Sequence, residues 1–126
     1  MGDLTSNFSK SEFDCKDGSE MPNDVFKNIT VLAENMQVLR EEIAVPITLT
    51  NGYRSVSHNK KVGGAKNSQH LFGLACDMQV KGMTPKEVAD VIERLIKEGK
   101  MKQGGIGLYK TFVHYDIRGT KARWNG

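Results

Sequence analysis

The sequence predicts an α+β fold in which a small antiparallel sheet is flanked by helices. Apolar residues recur every three or four positions along residues 22–44, and a second helical pattern of this kind occupies residues 84–98. Short segments between and after these helices carry the apolar runs and alternation of strands. The resulting order of helix, strand, strand, helix, strand, strand is typical of an α+β protein. A chain of 126 residues can bury one modest core, so we expect one domain over 1–126.

The first helix follows a polar N-terminal arm, residues 1–20. We expect Phe8 and Phe13 to anchor this arm on the body, with a short helical turn just before Phe13. The helix should begin near Pro22, which suits a first turn, and should end before the residue that precedes Pro46. Its inward face is predicted to be Val25, Ile29, Leu32, Met36, Leu39 and Ile43.

The remaining elements follow from turn and capping signals. Strands are expected at 47–50, 74–80, 104–109 and 111–117. The second helix should open with a capping box from Thr84 to Glu87, with Pro85 in its first turn, and should end at Gly99. Its inward residues are predicted to be Val88, Val91, Ile92, Leu95 and Ile96. Residues 54–69 are expected to form a polar loop, and a loop of that length is often functional.

Composition and charge argue against several classes of function. The net charge of +3 is mild, and Lys and Arg are scattered without interleaved aromatic residues, so we expect no nucleic-acid binding. No apolar run approaches the roughly 20 residues that span a bilayer, so we expect no membrane insertion. The N-terminus shows no secretory signal pattern. Cys15 and Cys76 are far apart and are expected to be small hydrophobes, and a monomer is the default expectation.

Histidines and carboxylates near two predicted strands suggest a metal site. Alternation places His114 and Asp116 on one face of the last strand, and Asp77 on the polar face of the 74–80 strand. His70 precedes Asp77 by seven residues, and Gly73 would allow the chain to fold His70 back over the sheet. Two imidazoles and one carboxylate fill three tetrahedral positions of a catalytic zinc and leave the fourth for water. Spacing alone leaves open the alternative that these are surface or structurally satisfied residues.

The third histidine, His58, lies in the polar loop with no carboxylate in register. We therefore leave it outside the predicted site.

Four motifs occur in order along the chain. They are Gly52-Tyr53-Arg54-Ser55, Ser68-x-His70-x-x-Gly73-x-Ala75-x-Asp77, Gly105-Ile-Gly107-x-Tyr109 and Phe112-Val-His114-x-Asp116. Together they resemble the zinc D-alanyl-D-alanine carboxypeptidase family, over roughly residues 7–124. That family includes vancomycin-resistance D,D-dipeptidases and phage L-alanyl-D-glutamate endolysins, and it shares its fold with the hedgehog signalling domain.

The resemblance implies a zinc peptidase that cuts peptidoglycan stem peptides by metal-activated water. It implies Zn²⁺ held by His70, Asp77 and His114. Arg54 matches an arginine that engages the substrate carboxylate or a developing oxyanion, and its alternative is a salt bridge that holds the loop. Ser68 matches a position that hydrogen-bonds substrate near the metal, and its alternative is a local cap.

The sequence departs from the family at the general base. Relatives place a Glu three residues before the last ligand or a His two before it, but here those positions are Thr111 and Phe112. The nearest ionisable candidate is Asp116. It could be the base, an acceptor that fixes an imidazole tautomer, a fourth ligand or a purely structural residue.

Two other functions remain open at this stage. The missing base makes a metal-binding wall-recognition module with weak or no catalysis conceivable, and a zinc-free structural or phage-particle component is a further alternative. The expected place of action is the bacterial cell wall. The enzyme would act either as a phage lytic enzyme released from the cytoplasm or as an extracytoplasmic protein whose leader has been removed.

Overall fold

The computed structural model describes residues 2–126 and has the predicted α+β architecture. Met1, the first residue of the predicted arm, lies outside the described residues. The α-helices are α1 (Asn23–Ile43), α2 (Val56–Lys61) and α3 (Pro85–Lys97). Two short 3₁₀ helices span Lys10–Phe13 and Gln69–Phe72. The strands are β1 (Ile47–Asn51), β2 (Ala75–Val80), β3 (Gly105–Leu108), β4 (Val113–Asp116) and β5 (Ala122–Asn125).

The five strands form one sheet in the order β1-β2-β4-β3-β5. The four predicted strands pair antiparallel, as expected. The fifth, β5, was not predicted, and it pairs parallel with β3, so the sheet is mixed at one edge. Four residues of sequence Ala-Arg-Trp-Asn carry too little apolar alternation to indicate a strand.

The core lies between one face of the sheet and the helices α1 and α3. The sheet contributes Cys76, Met78, Val113 and Tyr115, all buried. Every inward residue predicted for α1 is buried except Ile43, which is partly buried. In α3, Val91 and Ile96 are only partly buried, and Ala89 takes a core position instead. Because the helices cover this face, the polar side chains of β2 and β4 lie on the opposite face.

The N-terminal arm packs against the end of β1. Phe8 and Phe13 are buried with ring centroids 6.2 Å apart, as expected of anchors. The Tyr53 N–H donates to the Phe13 carbonyl at 2.7 Å. Gly52 permits this approach, because a Cβ there would lie 2.5 Å from the Phe13 Cα.

The predicted polar loop at 54–69 is partly helical, which corrects the expectation of an irregular segment. Ser55 caps α2 by accepting a hydrogen bond from the His58 N–H at 3.1 Å. A six-residue helix without an apolar stripe is invisible to periodicity, and only its cap could have indicated it. Within residues 2–126, no helix combines the length and the apolar character that crossing a bilayer requires.

Candidate metal centre

Strand pairing sets two of the predicted ligands side by side. Asp77 of β2 and His114 of β4 are direct partners in the antiparallel register. Side chains at such positions share a face and lie within reach of one another. The His114 Nδ1 lies 3.1 Å from the Asp77 Oδ1, on the face away from the core. The strand alternation that the sequence predicts therefore brings Asp77 and His114 together on one face of the sheet.

The third predicted ligand, His70, is positioned by a capped 3₁₀ turn. Ser68 Oγ accepts from the His70 N–H at 3.2 Å, and Gly73 ends the turn with a φ of 72°. A Cβ on Gly73 would lie 2.7 Å from the Val25 carbonyl oxygen, so close packing on α1 also requires glycine. The turn brings the His70 Nε2 to 3.3 Å from the Asp77 Oδ1.

Each histidine directs one nitrogen toward Asp77 and engages the other elsewhere. The His70 Nδ1 lies 2.8 Å from the Gly52 carbonyl oxygen, which can only accept, so Nδ1 carries the hydrogen and Nε2 presents its lone pair. The His114 Nε2 lies 2.8 Å from the Asp116 Oδ2, which likewise leaves Nδ1 as the free nitrogen. The three ligand atoms lie within 4.8 Å of one another on buried residues. This donor set, with fixed tautomers, fits a zinc ion.

The electrostatics of the cluster favour a cation. Burial alone would raise the pKa of Asp77, but the attraction of His114 and then His70 in their protonated forms outweighs it and holds that pKa well below its ordinary value. A bound cation would take the place of those ring protons. Burial alone would lower the pKa of His114, and hydrogen bonds to Asp116 and Asp77 outweigh it and raise that pKa. The Asp77 Oδ2 accepts from the Asn51 Nδ2 at 3.2 Å. The carboxylate is thus ionised and oriented at the centre of the group.

Asp116 lies behind His114 and does not face the cleft. Its side chain is fully buried, and Arg118 donates to it in a bidentate pair at 2.8 and 2.7 Å. The Gly105 N–H donates to the Asp116 Oδ1 at 2.9 Å. Burial would raise the pKa of Asp116, but hydrogen bonds from Arg118 and then His114 lower it well below its ordinary value. A buried carboxylate with a lowered pKa is a weak base, and its contacts suit an acceptor for the hydrogen on the His114 Nε2.

Arg54 and Ser68 both line the cleft. The Arg54 Nη1 donates to the Asn59 Oδ1 at 3.3 Å, and its Nη2 lies 3.8 Å from the Asp77 Oδ2. The Arg54 Nε is buried and finds no hydrogen-bond partner among residues 2–126. Ser68 has the local capping role described above, and its place in the cleft wall leaves it available to substrate as well.

The ligands lie at an open cleft of about 590 Å³. One wall is formed by residues from the 62–69 segment, as expected of the polar loop. The other wall is aromatic: Tyr109 and Phe112 stack at 4.3 Å, and the Trp124 Nε1 donates to the Tyr109 hydroxyl at 2.9 Å. The Arg118 guanidinium lies 5.5 Å from the Trp124 ring centroid.

Sequence reasoning missed three of the residues around the ligands. Asn51 lies just beyond the predicted 47–50 strand, and the irregular register between Leu49 and Asn51 sets it opposite Asp77. Trp124 lies on the unpredicted β5. Arg118 could have been found from its spacing, because an arginine two residues after a strand carboxylate can pair with it bidentately.

Comparisons with known proteins point to the same family as the sequence motifs. A family model described as Peptidase M15 matches residues 6–116. The chain belongs to the peptidase M15 family. The family resemblance carried by the sequence motifs is therefore confirmed.

Two relatives are similar to the chain over different lengths. The zinc D-Ala-D-Ala carboxypeptidase of Streptomyces albus G is 42% identical over 52 residues, which is 40% of this chain and 20% of that protein. The probable peptidoglycan L,D-endopeptidase MepK of Haemophilus influenzae is 32% identical over 114 residues, which is 85% of this chain and 55% of that protein. The chain thus spans between a fifth and about half of the length of these M15 relatives.

Among solved structures, the Serratia marcescens L-Ala D-Glu endopeptidase ChiX is similar with a TM-score of 0.48 and 17% identity. The match covers 77% of this chain and 88% of that chain.

Proposed function

We propose that this M15 chain is a zinc peptidase that hydrolyses the stem peptides of peptidoglycan. The observation that carries the proposal is the convergence of His70 Nε2, Asp77 Oδ1 and His114 Nδ1 at the cleft, with the second nitrogen of each ring already engaged. The substrate class is supported by the two relatives, whose names give D-Ala-D-Ala and peptidoglycan as their targets. Action at the cell wall, outside the cytoplasmic membrane, follows from that substrate, and a phage lytic enzyme is one form it could take.

The roles of the chain's residues follow from their positions. Zinc bound by His70, Asp77 and His114 would supply a Lewis acid for the scissile carbonyl and a water of lowered pKa. Arg54 lines the cleft beside Asp77, where its guanidinium would pair with a substrate carboxylate or with the oxygen that gains charge. Ser68 lies beside it on the same cleft and would hydrogen-bond the peptide.

Asp116 and Arg118 act on the metal through His114. Asp116 holds the hydrogen of the His114 Nε2, which keeps the Nδ1 lone pair directed at the metal position. The bidentate pair with Arg118 fixes the Asp116 carboxylate in turn.

A second candidate function is a wall-recognition module with weak or no catalysis. Among residues 2–126, the only carboxylate that lines the cleft is Asp77. Thr111 and Phe112 occupy the positions where the family resemblance leads us to expect a base. Such a module would bind the same stem peptides and release nothing.

The two candidates are separated by incubating zinc-loaded protein with purified peptidoglycan and identifying released peptides by mass spectrometry. The peptidase predicts new amine termini whose masses identify the bond that is cut, and their loss on chelation. Asp77→Asn should abolish release, whereas Asp90→Asn, an exposed substitution on α3, should leave it unchanged. Binding to the wall material without any zinc-dependent release would refute the peptidase and support the recognition module.

A further inference from the structure

A second group of metal-ligating side chains lies where the N-terminal arm meets α2. The Cys15 Sγ, a carboxylate oxygen of Asp17 and a ring nitrogen of His58 lie within 4.8 Å of one another. Spacing along the chain does not suggest this group, because His58 follows Cys15 by more than 40 positions. We propose that these three side chains form a second metal site, separate from the His70 cluster, for a borderline-soft divalent cation such as Zn²⁺.

The donor set selects the kind of metal. Thiolate and imidazole ligands suit zinc and related transition metals, whereas magnesium and calcium prefer oxygen ligands only. One thiolate and one carboxylate together balance the two charges of the cation. A fourth tetrahedral position is left for water, since Asp17 is exposed and His58 is half-buried.

Ser55 contacts two of the ligating groups and the backbone of the third residue. Its N–H donates to the Cys15 Sγ at 3.3 Å, a contact that stabilises a thiolate. Its hydroxyl donates to the Asp17 Oδ2 at 2.8 Å and accepts from the His58 N–H at 3.1 Å. Ligands that are themselves hydrogen-bonded by outer groups are typical of built metal sites.

The turn from Cys15 to Gly18 presents two of the ligands together. The Gly18 N–H donates to the Cys15 carbonyl at 3.1 Å, and Gly18 has a φ of 82° that favours glycine. The Asp17 Oδ1 accepts from the Ser19 N–H at 2.8 Å. With the Ser55 hydroxyl on its Oδ2, both oxygens of Asp17 are held beside Cys15.

Metal binding at this site exchanges a proton for the cation. The Cys15 S–H bond breaks, a sulfur–metal bond forms, and the proton leaves to the buffer. The bound metal would fasten the arm to α2. Because Asn59, the next residue after His58, contacts the Arg54 guanidinium, the second site would also steady one wall of the cleft.

Cobalt provides a readout that separates the two sites. The metal-free protein is titrated with Co²⁺ under reducing, oxygen-free conditions, and its near-ultraviolet spectrum is followed for thiolate-to-cobalt charge transfer. The His70 cluster contains no cysteine, so this band reports the second site alone. We expect two equivalents of Co²⁺ per chain, the band, and release of a proton from Cys15. Cys15→Ser should lose the band and one equivalent, whereas Cys76→Ala, in the buried core, should keep both.

Two further variants avoid any disturbance of the buried sulfur. Asp17→Asn and His58→Gln change an exposed and a half-buried side chain. Each should raise the Kd for the second equivalent of Co²⁺ by at least about tenfold and leave the Kd for the first equivalent unchanged. The proposal is overturned if wild-type protein binds a single equivalent without the band, if the band persists in Cys15→Ser, or if neither of these two variants alters the second equivalent.

Discussion

At the scale of the residue, the protonation pattern of two imidazoles determines whether the cluster can hold a metal. Strand alternation predicts that Asp77, His114 and Asp116 share one face of the sheet, the face away from the helices. Which nitrogen of each ring is free could not be predicted, because it depends on the Gly52 carbonyl and the Asp116 carboxylate, which only the fold brings close. The role of Asp116 is therefore the residue-level feature most open to experiment.

Asp116→Asn should weaken zinc binding and leave the chemistry largely intact. Loss of the charged acceptor at His114 Nε2 is expected to lower zinc affinity by roughly 10–100-fold, as for other groups that orient metal ligands. A competition titration against a chelator measures the affinity, and peptide release at saturating zinc measures turnover.

The base role makes the opposite prediction. If Asp116 accepts the proton, turnover should fall by at least about 100-fold while zinc content is full. Arg118→Lys serves as the companion variant, because it keeps the positive charge and loses the bidentate fork, so it should produce a smaller loss of zinc affinity in the same direction.

At the scale of the element, the long helices and the four antiparallel strands could be predicted because each has a periodic apolar face or a cap. The short elements α2 and β5 could not be predicted. α2 is too short for a helical period, and β5 carries too little apolar alternation to indicate a strand. Ser55 caps α2, and the hydrogen bonds of Arg123 to Glu93 of α3 hold β5. Trp124 of β5 and the 62–69 segment that follows α2 line the cleft, so the placement of these short elements bears on function.

Gly73→Ala tests whether the 3₁₀ turn positions His70. The positive φ should cost about 1–2 kcal/mol, and the added Cβ would also press on the Val25 carbonyl. We expect reduced stability in urea denaturation together with weaker zinc binding. Gly82→Ala is the matched control, since Gly82 also has a positive φ but its Cβ would meet open space. Equal zinc affinity in the two variants would contradict the positioning role of the turn.

Substitution of Glu93 tests whether the Arg123–Glu93 ion pair holds β5 against α3. Arg123 donates to both carboxylate oxygens of Glu93 at 2.7 and 2.8 Å, and these hydrogen bonds, with a smaller opposing effect of burial, lower the pKa of Glu93. Glu93→Gln should reduce the free energy of unfolding by up to about 1 kcal/mol at neutral pH, as for partly exposed pairs.

The pH dependence has a defined sign. A folded-state pKa below the unfolded value stabilises the protein above the ordinary glutamate pKa, and this stabilisation is lost as pH falls through the lowered folded pKa. The difference in urea stability between wild type and Glu93→Gln should therefore shrink in acid. A difference that is independent of pH would show that the loss comes from packing and not from the charge.

At the scale of the whole molecule, the fold separates the face of the sheet that packs on helices from the face that carries the proposed metal ligands. Helices α1 and α3 cover the apolar side of the sheet, and the opposite side carries the ligands at the floor of the cleft. The motifs predicted the family, and the ligand set that they imply stays a prediction. They could not predict the aromatic wall, because Trp124 and Tyr109 meet only through the parallel pairing of β5 with β3.

Metal removal should affect both activity and stability. A ligand that binds only the folded state stabilises it by about 4 kcal/mol at a thousand times its Kd. Chelation should accordingly lower the melting temperature and stop peptide release, and added zinc should restore both. Peptide release that survives complete chelation would contradict a metal-dependent reaction.

The most direct measurement is an anomalous difference map at the zinc absorption edge, from crystals of the wild-type protein grown with zinc. We predict a peak at roughly 2.0–2.2 Å from the His70 Nε2, the Asp77 Oδ1 and the His114 Nδ1. A map with full zinc elsewhere and none among these three atoms, or with His114 turned so that its Nε2 faces the metal, would contradict the account.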